Sequence, residues 1–301
     1  MLSQITGPMA RGVAALGSSH VAVGLHTGEI VMFKVSYDET AGYQCQYLAR
    51  FRQHLRNITD LASSTTSLGP LLASGDITGD INIWSLDSGE GEVGSEGLVH
   101  RGKIGDWSGH AVTTLAIWNK YKDGVLIAAY GSGHIRLFSL PGGNIICEVA
   151  AHNGWITGMD LASQSGLLLT CGEDSYVRVW QLATKGPLMD HWFSSPLQDC
   201  LMAGAKFMDP RGSSFCVSSY DCPEMKVKFT EPRARYNYNI GSLRCSPCRD
   251  QTPASRERGK GLVSLVRRDC YCFPYHQPSL SVAQHCLLTR YCTLYHFMSN
   301  I

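Results

Sequence analysis

Gly166–Leu182 reads GLLLTCGEDSYVRVWQL. An apolar run, LLLTC, meets a short polar stretch, GEDS, and an alternating run, YVRVW, returns and ends on an aromatic. Two short β-favouring runs around a tight polar turn predict a hairpin. The first run is apolar without alternation, as a strand covered on both faces would be. A single hairpin of this size cannot bury its own apolar faces, so its neighbours decide the fold.

Three other stretches follow the same pattern. They are HVAVGLHTGEIVMFKV (His20–Val35), PLLASGDITGDINIWSL (Pro70–Leu86) and VLIAAYGSGHIRLFSL (Val125–Leu140). Their closing aromatics, Phe33, Trp84, Phe138 and Trp180, stand 51, 54 and 42 residues apart. AKFMDPRGSSFCVSSYDCPEMKVKF (Ala205–Phe229) reads as a fifth, decayed unit, with Phe229 a further 49 residues on. Self-similarity at such a period marks a repeat architecture whose units bury their faces against one another. The expectation is an all-β chain.

The fourth unit opens on Ala151–His152 and continues through WITGMDL (Trp155–Leu161). His152 to Trp180 spans 28 residues, His110 to Phe138 spans 28, and His54 to Trp84 spans 30. This histidine-to-aromatic spacing resembles the WD40 family. The resemblance implies a WD40-type β-propeller of about five degenerate blades, forming a partial or incomplete ring. It also implies a buried tetrad in the fourth unit: His152, Thr170, Asp174 and Trp180. The second unit matches in part, with His54, Ser74 and Trp84 but Thr78 at the aspartate position. The third keeps His110 but has Ala128, Ser132 and Phe138; the first has only Thr27 and Phe33. None ends in the dipeptide WD.

Units of this kind cover residues 1–230 as one repeat domain. Residues 231–301 lose the alternation and are expected to form an irregular, disordered tail. Five units in an arc would leave two apolar faces open, each wet large side chain forgoing about 1.5–3 kcal/mol. Relatives of this kind carry more chain before the first unit, so a truncated form is expected. Residues 1–230 carry net −5 and residues 231–301 net +6. An acidic body argues against nucleic-acid binding through the repeats. Met1–Met9 has neither the basic nor the apolar segment of a secretory signal, and no apolar run is long enough to span a membrane as a helix. Cys45, Cys147, Cys171, Cys200, Cys216 and Cys222 follow no framework spacing, which fits a reducing, cytoplasmic location.

Six of the twelve cysteines lie in the tail. Cys245 and Cys248 form a C-x-x-C pair, followed by Cys270, Cys272, His276, His285, Cys286, Cys292 and His296. A structural zinc site needs a second pair at a defined spacing, and C-x-C does not supply it. The reading is no metal and no cofactor, and the tail reads as an alternative or read-through exon product. The tail's arginines with Tyr236 and Tyr238 leave nucleic acid or acidic membrane as the alternative contact.

No catalytic constellation emerges. Gly89, Gly91 and Gly94 spell G-x-G-x-x-G, but Glu90 and Glu92 would repel a pyrophosphate and no helix start follows. Ser132 in YGSGH lies on a hairpin turn, not a strand–turn–helix elbow. His152 with Asp174 is accounted for by the tetrad. The expected function is therefore a non-enzymatic protein–protein interaction scaffold, without a small-molecule substrate or a membrane span. WD40 proteins dock partners on the rim of the ring. By position, the rim residues are His26, Thr27, Asn57, Ile77, Thr78, Ser132, Trp155, Glu173 and Ser175. Trp155 is the principal candidate, since tryptophan commonly anchors interfaces; the alternative is that it folds back over its own blade. Open blade edges also predict self-association.

Overall fold

The structure is a computed structural model, and it describes residues 9–87, 97–104, 109–185, 188–197, 200–220, 224–230 and 243–244. The glycine motif at Gly89–Gly94, Cys222, Tyr236, Tyr238 and the tail cysteines and histidines lie outside the described residues.

Among the described residues, twenty strands form five antiparallel sheets of four. Sheet 1 holds β1 (Ala10–Leu16), β2 (His20–Leu25), β3 (Glu29–Asp38) and β4 (Gly42–Arg52). Sheet 2 holds β5 (Ile58–Thr66), β6 (Gly69–Asp76), β7 (Ile81–Asp87) and β8 (Gly97–Ile104). Sheet 3 holds β9 (Val112–Trp118), β10 (Val125–Tyr130), β11 (His134–Ser139) and β12 (Ile145–Ala150). Sheet 4 holds β13 (Ile156–Ala162), β14 (Leu167–Gly172), β15 (Tyr176–Leu182) and β16 (Met189–Pro196). Sheet 5 holds β17 (Met202–Phe207), β18 (Ser214–Ser219), β19 (Glu224–Phe229) and β20 (Leu243–Arg244). The last strand pairs Glu224 with Arg244 and Met225 with Leu243. The fifth sheet therefore takes its fourth strand from the stretch that reads as a tail.

Each quoted hairpin is the second and third strand of its sheet. Within each sheet, strands pair in sequence order, and the first strands pack side by side from β1 through β5, β9 and β13 to β17. This is the radial arrangement of a WD40-type propeller.

Apolar layers between successive sheets hold the arc together. Leu126, Ala128 and Tyr130 of β10 pack with Ile81 and Ile83 of sheet 2. Val125, Ile127 and Ala129, alternating with them, pack with Leu168 and Trp180 of sheet 4. All six residues of β10 are fully buried, so VLIAAY is apolar at every position because both faces of its sheet are covered.

Two irregularities recur. The first strand of every sheet slips register near its start, as between Ile58 and Asp60 or Ile156 and Gly158. In sheets 1 to 4 the fourth strand carries one extra residue opposite the closing aromatic: Leu48, Arg101, Ile146 and Trp192. A bulge there adds local twist to the outer strand. It also sets Tyr47 opposite Phe33, His100 opposite Trp84 and His191 opposite Trp180, with edge-on ring contacts at 6.2, 5.1 and 5.4 Å.

Two carboxylates clip one sheet to the next through the backbone. Asp60 Oδ2 accepts from Leu115 N at 2.9 Å and from Thr114 Oγ1 at 3.0 Å. Asp160 accepts from Phe207 N at 2.8 Å and pairs with Lys206 at 2.5 Å. Removing such an acceptor strands a partly buried amide, at about 1–3 kcal/mol. Asp60→Ala should therefore lower the urea-unfolding free energy by that amount without changing the slope. A stability equal to that of the unaltered chain would show that the clip carries nothing.

Candidate functional site

Two regions qualify: the polar networks inside the sheets, and the end of the sheets where the predicted rim residues gather.

In sheet 4, His152 Nδ1 meets Asp174 Oδ1 at 2.9 Å and Thr170 Oγ1 donates to His152 Nε2 at 2.9 Å. Trp180 Nε1 donates to Thr170 Oγ1 at 3.0 Å. Arg178, which the sequence reading did not single out, brings its guanidinium to 2.8 Å from both Asp174 Oδ2 and the His152 ring. Burial pushes His152 below its ordinary 6.5, and the pull of Asp174 does not restore it. Burial alone would raise Asp174, but bonds from His152 and Arg178 outweigh it and hold the carboxyl below its usual value.

Sheet 2 requires a correction. The carboxylate that meets His54 belongs to Asp76, not to the Thr78 position. His54 Nδ1 donates to Asp76 Oδ2 at 2.8 Å, Ser74 Oγ donates to His54 Nε2 at 2.7 Å, and Trp84 Nε1 donates to Ser74 Oγ at 2.9 Å. Thr78 instead donates from its amide and its hydroxyl to Asp76 Oδ1, at 2.9 and 2.7 Å. Counting back from the closing aromatic explains the shift. Asp76 stands eight residues before Trp84, where sheet 4 has Gly172 eight before Trp180. A Cβ on Gly172 would lie 2.8 Å from His152 Nδ1. At that place a side chain points at the histidine, and in sheet 2 it is the acid itself. Asn82 extends this network from His54 Nε2, at 3.1 Å, to His100 Nε2, at 3.0 Å.

Sheet 3 does not assemble the network. His110 is exposed, and Ala128 and Phe138 supply no polar atom. The same place, eight before Phe138, holds Tyr130, fully buried beneath Arg136 at 4.7 Å from its ring centre. Burial pushes the Tyr130 phenol up to about 12. Sheet 1 fills the corresponding places with Val23, Leu25 and Val31.

At one end of each sheet, the residue after the second strand donates its amide to a carbonyl just before the first strand. These bonds are His26 to Met9, Ile77 to Asn57, Gly131 to Ala111, Glu173 to Trp155 and Tyr220 to Leu201, at 2.9–3.1 Å. Neighbouring sheets join at this same end: Gly133, at φ +80°, accepts from His152 N, and a Cβ there would fall on the His152 carbonyl. The nine predicted rim residues therefore lie at one end of the arc. Thr27, Asn57, Ile77, Thr78, Trp155 and Glu173 are exposed, and His26, Ser132 and Ser175 are half-buried. The Oγ of Ser175 is turned to the Cys200 carbonyl at 3.0 Å. The benzo edge of Trp155 rests on Gly131 of the preceding sheet, where a Cβ would come within 2.7 Å of Cε3 and Cζ3, and 40% of the residue stays exposed. The sequence reading missed Leu55, Leu201 and Tyr220, which stand exposed at the same end. Their only signal was an apolar residue in an otherwise polar turn.

Between the first strands lies a cavity of about 330 Å³, lined in part by Asp60, Asp160, Trp118 and Lys206. Its two carboxylates are the inter-sheet clips. Among the described residues no three or more His, Cys, Asp or Glu side chains gather as a metal site would require.

The chain matches the profile of the WDR54 family over residues 2–230. It is 27% identical over 231 residues to WD repeat-containing protein 54 of Homo sapiens and 29% identical over 231 residues to WD repeat domain 54 of Rattus norvegicus. Each alignment covers 74% of this chain and 64% of the relative, so the chain spans under two thirds of these relatives' length. A WD repeat-containing protein of Dictyostelium discoideum is 24% identical over 183 residues, which is 60% of this chain and 9% of that protein.

The networks fix two outcomes. Asp76→Ala leaves a buried histidine donor unmet and should cost about 1–3 kcal/mol in urea unfolding, whereas Thr78→Val should cost under about 1 kcal/mol. The reverse order would return the partner role to Thr78. On acidification, stability should fall in two stages. His152 is held below 6.5 in the fold, so below that pH the unfolded chain binds the proton first. Its contribution is complete above 6.5 and is lost as the pH drops through the folded value. Asp76 and Asp174 are held below 3.8; their contribution is intact above 3.8 and disappears at lower pH still. Thermal midpoints between pH 8 and 3 should show both stages, and His152→Gln should abolish the upper one.

Proposed function

The chain belongs to the WDR54 family of WD repeat proteins, and on that premise we propose that it is a non-enzymatic scaffold binding other proteins through the rim that carries Trp155. The observation that supports this is that Leu55, Ile77, Trp155, Leu201 and Tyr220 stand exposed at the end of the arc where the turns and inter-sheet loops meet. Exposed large apolar and aromatic groups are common anchors of contact sites.

The geometry most suggestive of chemistry points the same way. Ser74, His54 and Asp76 have the connectivity and distances of a nucleophile, base and orienting acid. Yet Ser74 is fully buried, and its oxygen is engaged by the Trp84 indole. A nucleophile must reach a substrate carbonyl, and this one faces only side chains. Its arrangement is that of a buried network satisfying its own polar atoms.

Self-association belongs to this reading as well. A strand edge left open at the end of an arc accepts another strand. A cytoplasmic location fits, since no described cysteine is in a disulfide.

Photo-crosslinking tests the rim. A benzophenone side chain at Asn57 or Ser175 should trap partner protein, while one at Lys122, on the loop at the opposite end of sheet 3, should not. Equal trapping at all three would remove the rim from the proposal. Trp155→Ala should weaken partner binding with the thermal midpoint held, and a large fall in the midpoint would make Trp155 structural. A fluorophosphonate probe should leave Ser74 unmodified in the native protein; labelling at Ser74 would end the non-enzymatic reading.

A further inference from the structure

Among the described residues, arginine is held in one manner twice. Arg136 lies over the Tyr130 ring at 4.7 Å and pairs with Glu148 at 3.2 Å. Arg178 lies over the Tyr176 ring at 4.7 Å and pairs with Asp174 at 2.8 Å. In each case a guanidinium is placed between an aromatic face and a carboxylate, a combination suited to its planar, weakly hydrated cation.

The rim presents the same two partners without the arginine. The Trp155 ring rests one edge on Gly131 and is otherwise 40% exposed. The Glu173 amide donates to the Trp155 carbonyl at 3.0 Å, which fixes the two residues side by side. The Glu173 side chain is exposed and leans over Gly154, the residue before Trp155, with Oε2 3.7 Å from where a Cβ on that glycine would stand. Neighbouring Asp174 already belongs to Arg178 and His152. Among the described residues no Lys or Arg pairs with Glu173 or lies over the Trp155 ring.

We infer that Trp155 and Glu173 form a subsite for an arginine side chain on a partner protein segment. The guanidinium lies along the open face of the indole and pairs with the Glu173 carboxylate, repeating across an interface what Arg178 does with Tyr176 and Asp174 within sheet 4. The inference rests on the rim reading and adds to it the chemistry of the partner.

Pools of capped heptapeptides test it on the full chain. The centre is Arg, Lys, citrulline or Glu, and every other position is an equal mixture of Ala, Leu, Ser and Tyr. Binding is read by biolayer interferometry. The arginine pool should bind, and the citrulline pool, which keeps the shape and loses the charge, should bind about threefold to thirtyfold more weakly. Glu173→Gln and Trp155→Ala should each reduce arginine binding to the level of citrulline. Glu173→Gln removes only the charge at an exposed position, so it keeps the test sound should Trp155→Ala lower the thermal midpoint. Binding of the arginine pool should also weaken as salt rises from 50 to 500 mM. Equal binding of arginine and citrulline pools, indifference to Glu173→Gln, or no arginine binding up to 1 mM would each overturn the inference. If all pools bound alike and Trp155→Ala abolished them all, the rim would stand and the arginine subsite would fall. Partner trapping at Asn57 with no effect of either substitution would lead to the same division.

Discussion

A four-stranded sheet with two apolar faces is stable only between two covers. β10 is the clearest case: three of its side chains pack toward sheet 2 and the alternate three toward sheet 4. The consequence spreads along the chain. Sheet 3 needs sheets 2 and 4, each of these has a second apolar face, and Leu169, Cys171, Val177 and Val179 carry the layering onward to Phe215 and Val217 of sheet 5. No local hydrogen bond imposes this order. It follows from covering apolar surface that no single unit can cover itself, with a gain of about 25 cal/mol for each Å² removed from water.

Polar groups enter that scheme mainly as networks whose members satisfy one another. Three sheets answer the same local problem differently. Sheet 4 sends an aspartate up from the turn, sheet 2 sends one from the end of its second strand, and sheet 3 replaces the arrangement with Tyr130 and Arg136. The first two solve a hydrogen-bond account and the third removes most of it by using a ring. Their interchange within one chain shows that the place requires filled volume, and not one particular set of residues: sheet 3 fills it although the buried Tyr130 hydroxyl has no hydrogen-bond partner among the described residues.

The inner half of each sheet was legible because it repeats: an apolar second strand, a tight turn, and an alternating third strand ending in an aromatic. The outer half was not. The fourth strands are largely exposed, so little apolar pattern marks them, and the extra residue at Leu48, Arg101, Ile146 or Trp192 breaks the two-residue period where it would be sought. In the site, the members of the His152 network followed from the resemblance to WD40 repeats. Asp76 did not, because the family's aspartate position falls on Thr78 in the second unit, and only the geometry shows that the acid stands at the strand end instead. Trp155 was visible as an unusual residue in a loop. That it leans on Gly131 follows from how two sheets meet, which no local pattern encodes.

The Asp60 and Asp160 clips bear on how such a chain tolerates change. Each carboxylate addresses a backbone amide, at Leu115 and at Phe207, and that half of the joint needs no side chain kept in step, unlike the bonds from Thr114 and Lys206 beside it. A neighbouring strand can therefore drift in sequence, or be exchanged for another of the same shape, without losing the joint. The sole side chain barred by this bond itself is proline, which brings no amide hydrogen to either position. A joint so indifferent to its partner's identity allows units as unlike as these five to remain members of one array.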